Sequence, residues 1–261
     1  MWDFEHGPRS LELAKRYALD YIKPSECAAN LLSGKADLGL IPIAALTPEL
    51  AIAPGCAIAS LDRVRSIQLI VKGGRPLEEV RTVAADTASR SSLAYVQILF
   101  GKFLGTSPEF VPSPADPVAM LNSTDAALLI GDPALLALEA RAMIEAEIGS
   151  CQWFDIAHEW HTRTGLPWVA AVWAVRPDAI ANPNRLIDDL NQSRINGLGH
   201  IEDLVAEWTP RIAIPPATIR SYLTENIHYT LDAPCLEALG LFRQYASEVD
   251  ALPPLPHPRF L

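Results

Sequence analysis

Short apolar stretches alternate with segments of helical spacing between residues 80 and 147, and this alternation restricts the fold more than any other feature of the chain. Residues 80–85 read as a strand, 89–104 as a helix, Phe110-Val111 as a second strand and 117–122 as a short helix. Residues 126–130 read as a third strand and 134–147 as a further helix. Strand and helix in turn favour an α/β architecture, a parallel sheet with both faces covered. Upstream, residues 25–33 carry a cap residue and helical spacing, with Gly34 as a stop, and 36–43 read as a short buried strand. An apolar run at 56–59 precedes 65–71, whose branched residues suggest a long strand, and the sequence Lys72-Gly73-Gly74-Arg75-Pro76 then marks a change of domain.

Residues 166–175 read as a strand that returns the chain to its first domain, and the rest is mostly helical, at 184–191, 201–208, 216–225 and 234–248. The expected organisation is two α/β lobes with a ligand cleft between them. The first lobe is discontinuous, residues 1–73 plus 175–261, and the second spans 74–174. No repeat of solenoid length is evident.

A chain of 261 residues that is 49% hydrophobic can bury a full core. Its formal charge of -10 and pI near 5.0 argue against nucleic acid or an anionic membrane surface as partner, since both call for a basic footprint. They also require that any anionic ligand find a locally positive pocket. Cys27, Cys56, Cys151 and Cys235 are widely spaced without C-x-x-C, which fits a reducing cytoplasm better than a zinc cluster or a disulfide framework. Residues 1–8 do not have the pattern of a secretory leader, and the apolar run 166–175 is too short to span a bilayer. The expectation is a cytoplasmic protein with a small-molecule partner; the sequence leaves its oligomeric state open.

Residues 83–92 are where an anion site is expected. A strand there runs into Asp86-Thr87-Ala88-Ser89-Arg90-Ser91-Ser92, placing hydroxyls and an arginine at the first turn of a helix, where backbone N–H groups are unpaired and the macrodipole is positive. The plainer reading makes Thr87 or Ser89 an ordinary helix cap and Arg90 a solvated side chain. Gly131-Asp132 also follows a strand, either as a cap before Pro133 or as a close backbone approach to a ligand, and Ser66 is a cleft candidate on the strand that crosses between lobes. Asp37 reads as a polar residue where a loop enters a strand. His158 and His161 lack the H-E-x-x-H spacing and an evident third ligand, so no metal is expected. Trp160, Trp168 and Trp173 read as core or cleft wall. G-x-S-x-G, the P-loop and G-x-G-x-x-G do not occur, so those hydrolase and nucleotide readings lack their motifs.

Taken in order, several stretches resemble the chorismate dehydratase family of the futalosine route to menaquinone. They are Pro24-Ser-Glu-Cys-Ala28, Gly34-Lys-Ala-Asp-Leu-Gly-Leu-Ile-Pro42, Ser66-Ile-Gln-Leu69, Asp86-Thr-Ala-Ser-Arg-Ser-Ser92 and Asp125-Ala-Ala-Leu-Leu-Ile-Gly-Asp132. Asp155, Glu159-Trp160, Thr164-Gly-Leu-Pro-Trp-Val-Ala-Ala-Val-Trp173 and a C-terminal stretch with Tyr222-Leu223 and Ile227-His-Tyr229 complete the series. The resemblance implies a two-lobed fold like that of type II periplasmic binding proteins. It implies a carbon–oxygen lyase that removes water from chorismate, a small dicarboxylate, to give 3-[(1-carboxyvinyl)oxy]benzoate without a cofactor. It implies that Ser89, Arg90, Ser91 and Ser92 belong to a carboxylate-binding region, with Ser25, Ser66, Gly131 and Asp132 as further cleft residues, and that the substrate's own enolpyruvyl carboxylate takes the proton.

Relative to the family pattern, the chain begins at the segment 2–7 that follows an Asn-Thr-x-Pro-Leu motif. The asparagine most associated with catalysis is therefore expected to lie outside these residues, which leaves the catalytic residue unassigned and turnover by this chain open. Two alternatives share the cleft: a non-catalytic small-carboxylate-binding protein, and the sister 1,4-dihydroxy-6-naphthoate synthase.

Overall fold

A computed structural model of the chain describes all residues except Lys23, residues 87–89 and Leu255, with Pro24 and Ser25 described by their backbone alone. Two short helices, α1 (Trp2–Glu5) and α2 (Ser10–Leu13), precede α3 (Pro24–Leu32). Next come β1 (Leu38–Pro42) and the ten-residue β2 (Ala51–Ser60). β1 alternates half-buried and buried positions, as expected of a strand with one face on the core. Gly39 in β1 is required by close packing, because a Cβ there would lie 2.3 Å from the Cys27 sulfur on α3.

β3 (Ile67–Lys72) and β4 (Thr82–Ala85) lead into α4 (Arg90–Ile98), which continues as a π-helical turn over Leu99–Leu104. β5 (Glu109–Pro112), α5 (Pro117–Ser123) and β6 (Ala126–Ile130) follow. Asp116 caps α5 by accepting from the N–H groups of Val118 and Ala119. Then come α6 (Asp132–Glu139), α7 (Arg141–Ile148), β7 (Cys151–Asp155) and α8 (Ile156–Thr164), which ends at Gly165 in the left-handed region. The chain finishes with β8 (Trp168–Val175), α9 (Pro183–Leu198), α10 (Ile201–Trp208), α11 (Pro216–Ser221), β9 (His228–Leu231), α12 (Ala233–Glu248) and β10 (Arg259–Phe260).

These strands form two sheets. The first runs β1-β8-β2, with β9 and β10 both on the far edge of β2, and β8 is antiparallel to both β1 and β2. The second runs β5-β4-β6-β3-β7. The expected parallel pairing is found for β5, β4 and β6, whereas β3 is antiparallel to β6 and β7. The reason is the direction of entry. β3 begins at the edge where β4 and β6 end, because the chain arrives there from the other sheet, so it must run the opposite way.

β3 precedes Gly73 yet belongs to the second sheet, and β8, which starts at Trp168 and ends at Val175, belongs to the first. Gly73-Gly74 is accordingly a turn at the end of β3, where the Gly73 N–H donates to the Ser150 carbonyl. The chain crosses between the sheets at residues 61–66 and again between β7 and β8. α10 and α11 reach across as well: Val205 and Ile219 pack with Leu135 of α6.

One hydrophobic core continues through both sheets. At its centre Tyr95 on α4 is fully buried, with its ring 4.4 Å from Phe242 of α12, 5.0 Å from Trp160 of α8 and 5.7 Å from Trp168 of β8. Its hydroxyl donates to the Val169 carbonyl at 3.1 Å and accepts from the Val169 N–H at 3.3 Å. A buried tyrosine is thereby satisfied, and α4 is fastened to the first sheet.

Candidate active site

β4 and β6 are parallel neighbours, so the segments that follow them emerge at one edge, and β3 starts beside them. The Gly131 N–H donates to the Ser66 carbonyl at 2.7 Å, which joins the start of β3 to the end of β6. Gly131 has φ 70° and ψ -142°, a conformation open to glycine and strained for other residues, and the space where a Cβ would stand is empty. It is the N-cap position of α6, with Asp132 as the first helical residue, so Asp132 is not itself the cap. The exposed Asp132 carboxylate sits at a helix N-terminus, where the dipole favours it.

From the first lobe, β1 runs into a 3-10 turn at Ile43–Ala45. The Ala44 N–H donates to the Ser91 hydroxyl oxygen at 3.1 Å, tying that turn to the first turn of α4. Ser91 and Ser92 are both buried, and Arg90 beside them is exposed. Arg90 opens onto a cavity of about 210 Å³ lined also by Ala28, Ala29 and Leu32 of α3, Pro42 at the end of β1, Ala45 of the 3-10 turn and Thr47 after it. Among the described residues Arg90 makes no ion pair and is the only charged side chain lining that cavity. On a chain of net charge -10, this supplies the locally positive concavity that an anion needs. Of the other expected residues, Ser89 and the side chain of Ser25 lie outside what the structure describes.

Ser66 is 6% exposed, and its hydroxyl oxygen accepts from the Tyr222 hydroxyl at 3.0 Å. Burial pushes the Tyr222 phenol up, the Ser66 hydroxyl pulls it back in part and the nearby Asp132 carboxylate raises it again, so it stays protonated. Tyr222 begins a π-helical turn, Tyr222–Asn226, after α11. Tyr222 falls in a stretch that resembles the family, but its partnership with Ser66, 156 residues away, has no local signature in the sequence.

Asp155 holds the first crossing segment in place. Its carboxylate accepts from the N–H groups of Val64 (3.3 Å) and Arg65 (2.7 Å), and from Ala157 and His158 at the start of α8. Arg65 has φ 62°, unusual for a non-glycine residue, and the Asp155 bond fixes that conformation. Burial raises the Asp155 carboxyl above its ordinary value despite these N–H donors.

A larger cavity, about 300 Å³, lies against the first sheet between Leu40, Ile58 and Trp173 on one side and Trp2, Leu198 and Ile201 on the other; none of the sequence candidates lines it. Trp173 is thus a cavity wall, and Trp160 and Trp168 are core. His158 pairs with Asp62, while His161 faces the Leu166 carbonyl, so the two imidazoles are engaged separately. The ligand atoms of His228, Asp232 and Cys235 lie within 4.8 Å of one another. Asp232 already caps α12 through the Cys235 N–H and pairs with His228 at 2.9 Å, and burial with the neighbouring Asp232 pushes the Cys235 thiol up to about 12.

Comparison with known proteins gives this geometry a setting. A family model described as menaquinone biosynthesis matches residues 7–248. The chain is 31% identical over 229 residues to a chorismate dehydratase from Thermus thermophilus, covering 84% of this chain and 82% of that protein. A crystal structure of an Archaeoglobus fulgidus protein superposes with a TM-score of 0.65 at 13% identity, over 94% of this chain and 93% of that one. An ABC transporter structure from Parabacteroides distasonis gives 0.54 at 13% identity, over 92% and 86%. The fold is that of the two-lobed, type II periplasmic-binding-protein-like α/β proteins.

Proposed function

We propose, since the chain belongs to the menaquinone biosynthesis family, that it is a chorismate dehydratase, a hydro-lyase converting chorismate to 3-[(1-carboxyvinyl)oxy]benzoate and water. The observation that carries this reading is the 31% identity to the Thermus thermophilus chorismate dehydratase across 84% of the chain. The chemistry removes the C3 proton and the C4 hydroxyl of a dicarboxylate, and aromatisation of the ring drives it. What such a reaction asks of a protein is to hold two carboxylates, orient the reacting atoms and exclude water.

The site supports that reading in three ways. Arg90, at the first turn of α4, offers a guanidinium without a carboxylate partner among the described residues to one substrate carboxylate. Gly131 lets the backbone at the end of β6 come close to a ligand, and Ser66 offers a buried hydroxyl beside it. Ala28, Ala29 and Leu32 of α3 and Pro42 of β1 give the concavity a largely apolar lining beside the guanidinium. Ser25, Ser89, Ser91, Ser92 and Asp132 complete the proposed substrate region. The enolpyruvyl carboxylate of the substrate serves as proton acceptor, which places no demand for a general base on the protein.

The proposed lobes are those of the two sheets, with the cleft at the strand edges that carry Ser66, Arg90 and Gly131. We place the enzyme in the cytoplasm, where its four free, buried cysteines would stay reduced. The test is incubation of the purified protein with chorismate while the aromatic product is followed by ultraviolet absorbance and chromatography. Formation of 3-[(1-carboxyvinyl)oxy]benzoate supports the reading; unchanged chorismate at high enzyme concentration refutes it.

A further inference from the structure

The Ser66–Tyr222 contact has a direction. A phenol is a better donor and a poorer acceptor than an alkyl hydroxyl, and here burial outweighs the lowering effect of the Ser66 hydroxyl and, with the Asp132 carboxylate, holds the phenolic proton on. The Tyr222 hydroxyl therefore donates to Ser66, at 3.0 Å, and fills one lone pair of the serine oxygen. Ser66 keeps one proton of its own. Among the described residues nothing accepts it, although the side chain is almost fully buried. A buried hydroxyl that has an incoming bond and no outgoing one is a donor waiting for an acceptor.

The surroundings give that donor an orientation. The Ser66 carbonyl is committed to the Gly131 N–H, and the Ser66 N–H to the Val64 carbonyl at 2.8 Å, so the backbone cannot swing. Arg65 before it is held at φ 62° by Asp155. With the backbone fixed and one lone pair occupied, the remaining O–H is restricted to the directions left around the oxygen.

We infer that Tyr222 is a positioning residue, one that fixes Ser66 as a hydrogen-bond donor to a carboxylate oxygen of the substrate. This rests on the dehydratase reading for the identity of the substrate, and on the residue geometry alone for the donor. Tyr222 itself need not touch the ligand. Donation by the phenol also polarises the serine O–H, strengthening the bond Ser66 gives.

The experiment is a double-mutant cycle on the full chain with Ser66→Ala, Tyr222→Phe and both together, reading KM and kcat for chorismate and, by calorimetry, the binding of chorismate and of 3-[(1-carboxyvinyl)oxy]benzoate. Loss of one hydrogen bond to a charged group predicts a KM about tenfold higher in either single variant with kcat nearly unchanged, and a double variant no worse than Ser66→Ala. A purely structural role for Tyr222 would instead lower stability and leave the KM of folded protein alone. Effects that multiply in the double variant, or wild-type KM in Tyr222→Phe, overturn the inference while the dehydratase reading stands. Absence of turnover with coupled losses of binding overturns the dehydratase reading and leaves the inference standing. If wild-type protein binds neither carboxylate, both fall. Should Tyr222→Phe fail to fold, a ring-fluorinated tyrosine at 222 replaces it. Its phenol ionises at lower pH, so the inference expects KM to rise with pH in that protein relative to wild type, and a matching pH profile overturns it. Asp132 and Tyr229, the ionisable groups that couple electrostatically to Tyr222, are common to both proteins.

Discussion

Replacing Asp189 by asparagine measures how firmly residues 1–17 are fastened to the body of the protein by charge. The Asp189 side chain, on α9, is 3% exposed and receives hydrogen bonds from the Arg9 guanidinium, from Arg16 at 3.0 Å and from the Tyr17 hydroxyl at 3.0 Å. Removing one member of a buried ion pair generally costs about 3–5 kcal/mol. Here Arg9 keeps Asp3 at 3.4 Å, Arg16 keeps Glu12 at 2.6 Å, and the arginine side chains are 30% and 23% exposed. Screening and the surviving partners put the loss at the lower end, about 3 kcal/mol, or roughly 6–12 °C in melting temperature for a chain of this size.

The pH dependence provides a second readout. Burial pushes the Asp189 carboxyl up, but the bonds from Tyr17, Arg16 and Arg9 outweigh it, and the group titrates below the usual carboxylate range. A depressed folded-state pKa gives stability that is complete above the unfolded-state value of about 4 and is lost as pH falls through the folded value. Urea unfolding of wild type and Asp189→Asn, followed by circular dichroism, is therefore expected to show a gap that is full at neutral pH and closes in acid. A gap below about 1 kcal/mol at neutral pH, or one that persists at low pH, would refute the assignment of that stability to the ionised carboxylate.

Arg90→Met keeps the length of the side chain and removes its charge; kcat/KM for chorismate is expected to fall about a hundredfold, as befits a charge-assisted carboxylate contact, with an unchanged circular dichroism spectrum. Gly131→Ala meets no neighbouring atom, so its expected penalty of about 1–3 kcal/mol is conformational and is read as a lower melting temperature. The four cysteines are free and buried, and burial raises each thiol; a chromogenic disulfide reagent is expected to label them slowly in native protein and fully in urea.

Much of the second sheet is legible in sequence, because β4, β6 and the helices between them have clean periodicities and turn residues at their ends. Periodicity says nothing about which sheet a strand joins. β3 reads clearly as a strand, yet only its pairing with β6 and β7 shows that it belongs to the second sheet, with Gly73 in the turn that follows it. β7 itself, Cys-Gln-Trp-Phe-Asp, is short and lacks either alternation or a branched run. At the proposed site, Ser66, Arg90 and Gly131 could be singled out by their positions at strand and helix ends. Tyr222 could not, since what makes it matter is a hydroxyl 156 residues away, and the same holds for Asp189 and the arginines it holds.

The way the two sheets draw on the chain also sets an order for folding. Every strand of the second sheet lies between residues 67 and 155, so it can assemble from one continuous stretch as soon as that stretch is available. The first sheet needs β8 between β1 and β2, then β9 and β10, and its last pairing, Phe260 with Ile52, joins residues 208 apart in a chain of 261. Loop-closure entropy makes such distant pairings slow. During synthesis the second lobe is expected to fold while β1 and β2 still wait for β8, and the apolar surface of those two early strands is the part of the nascent chain most exposed to aggregation.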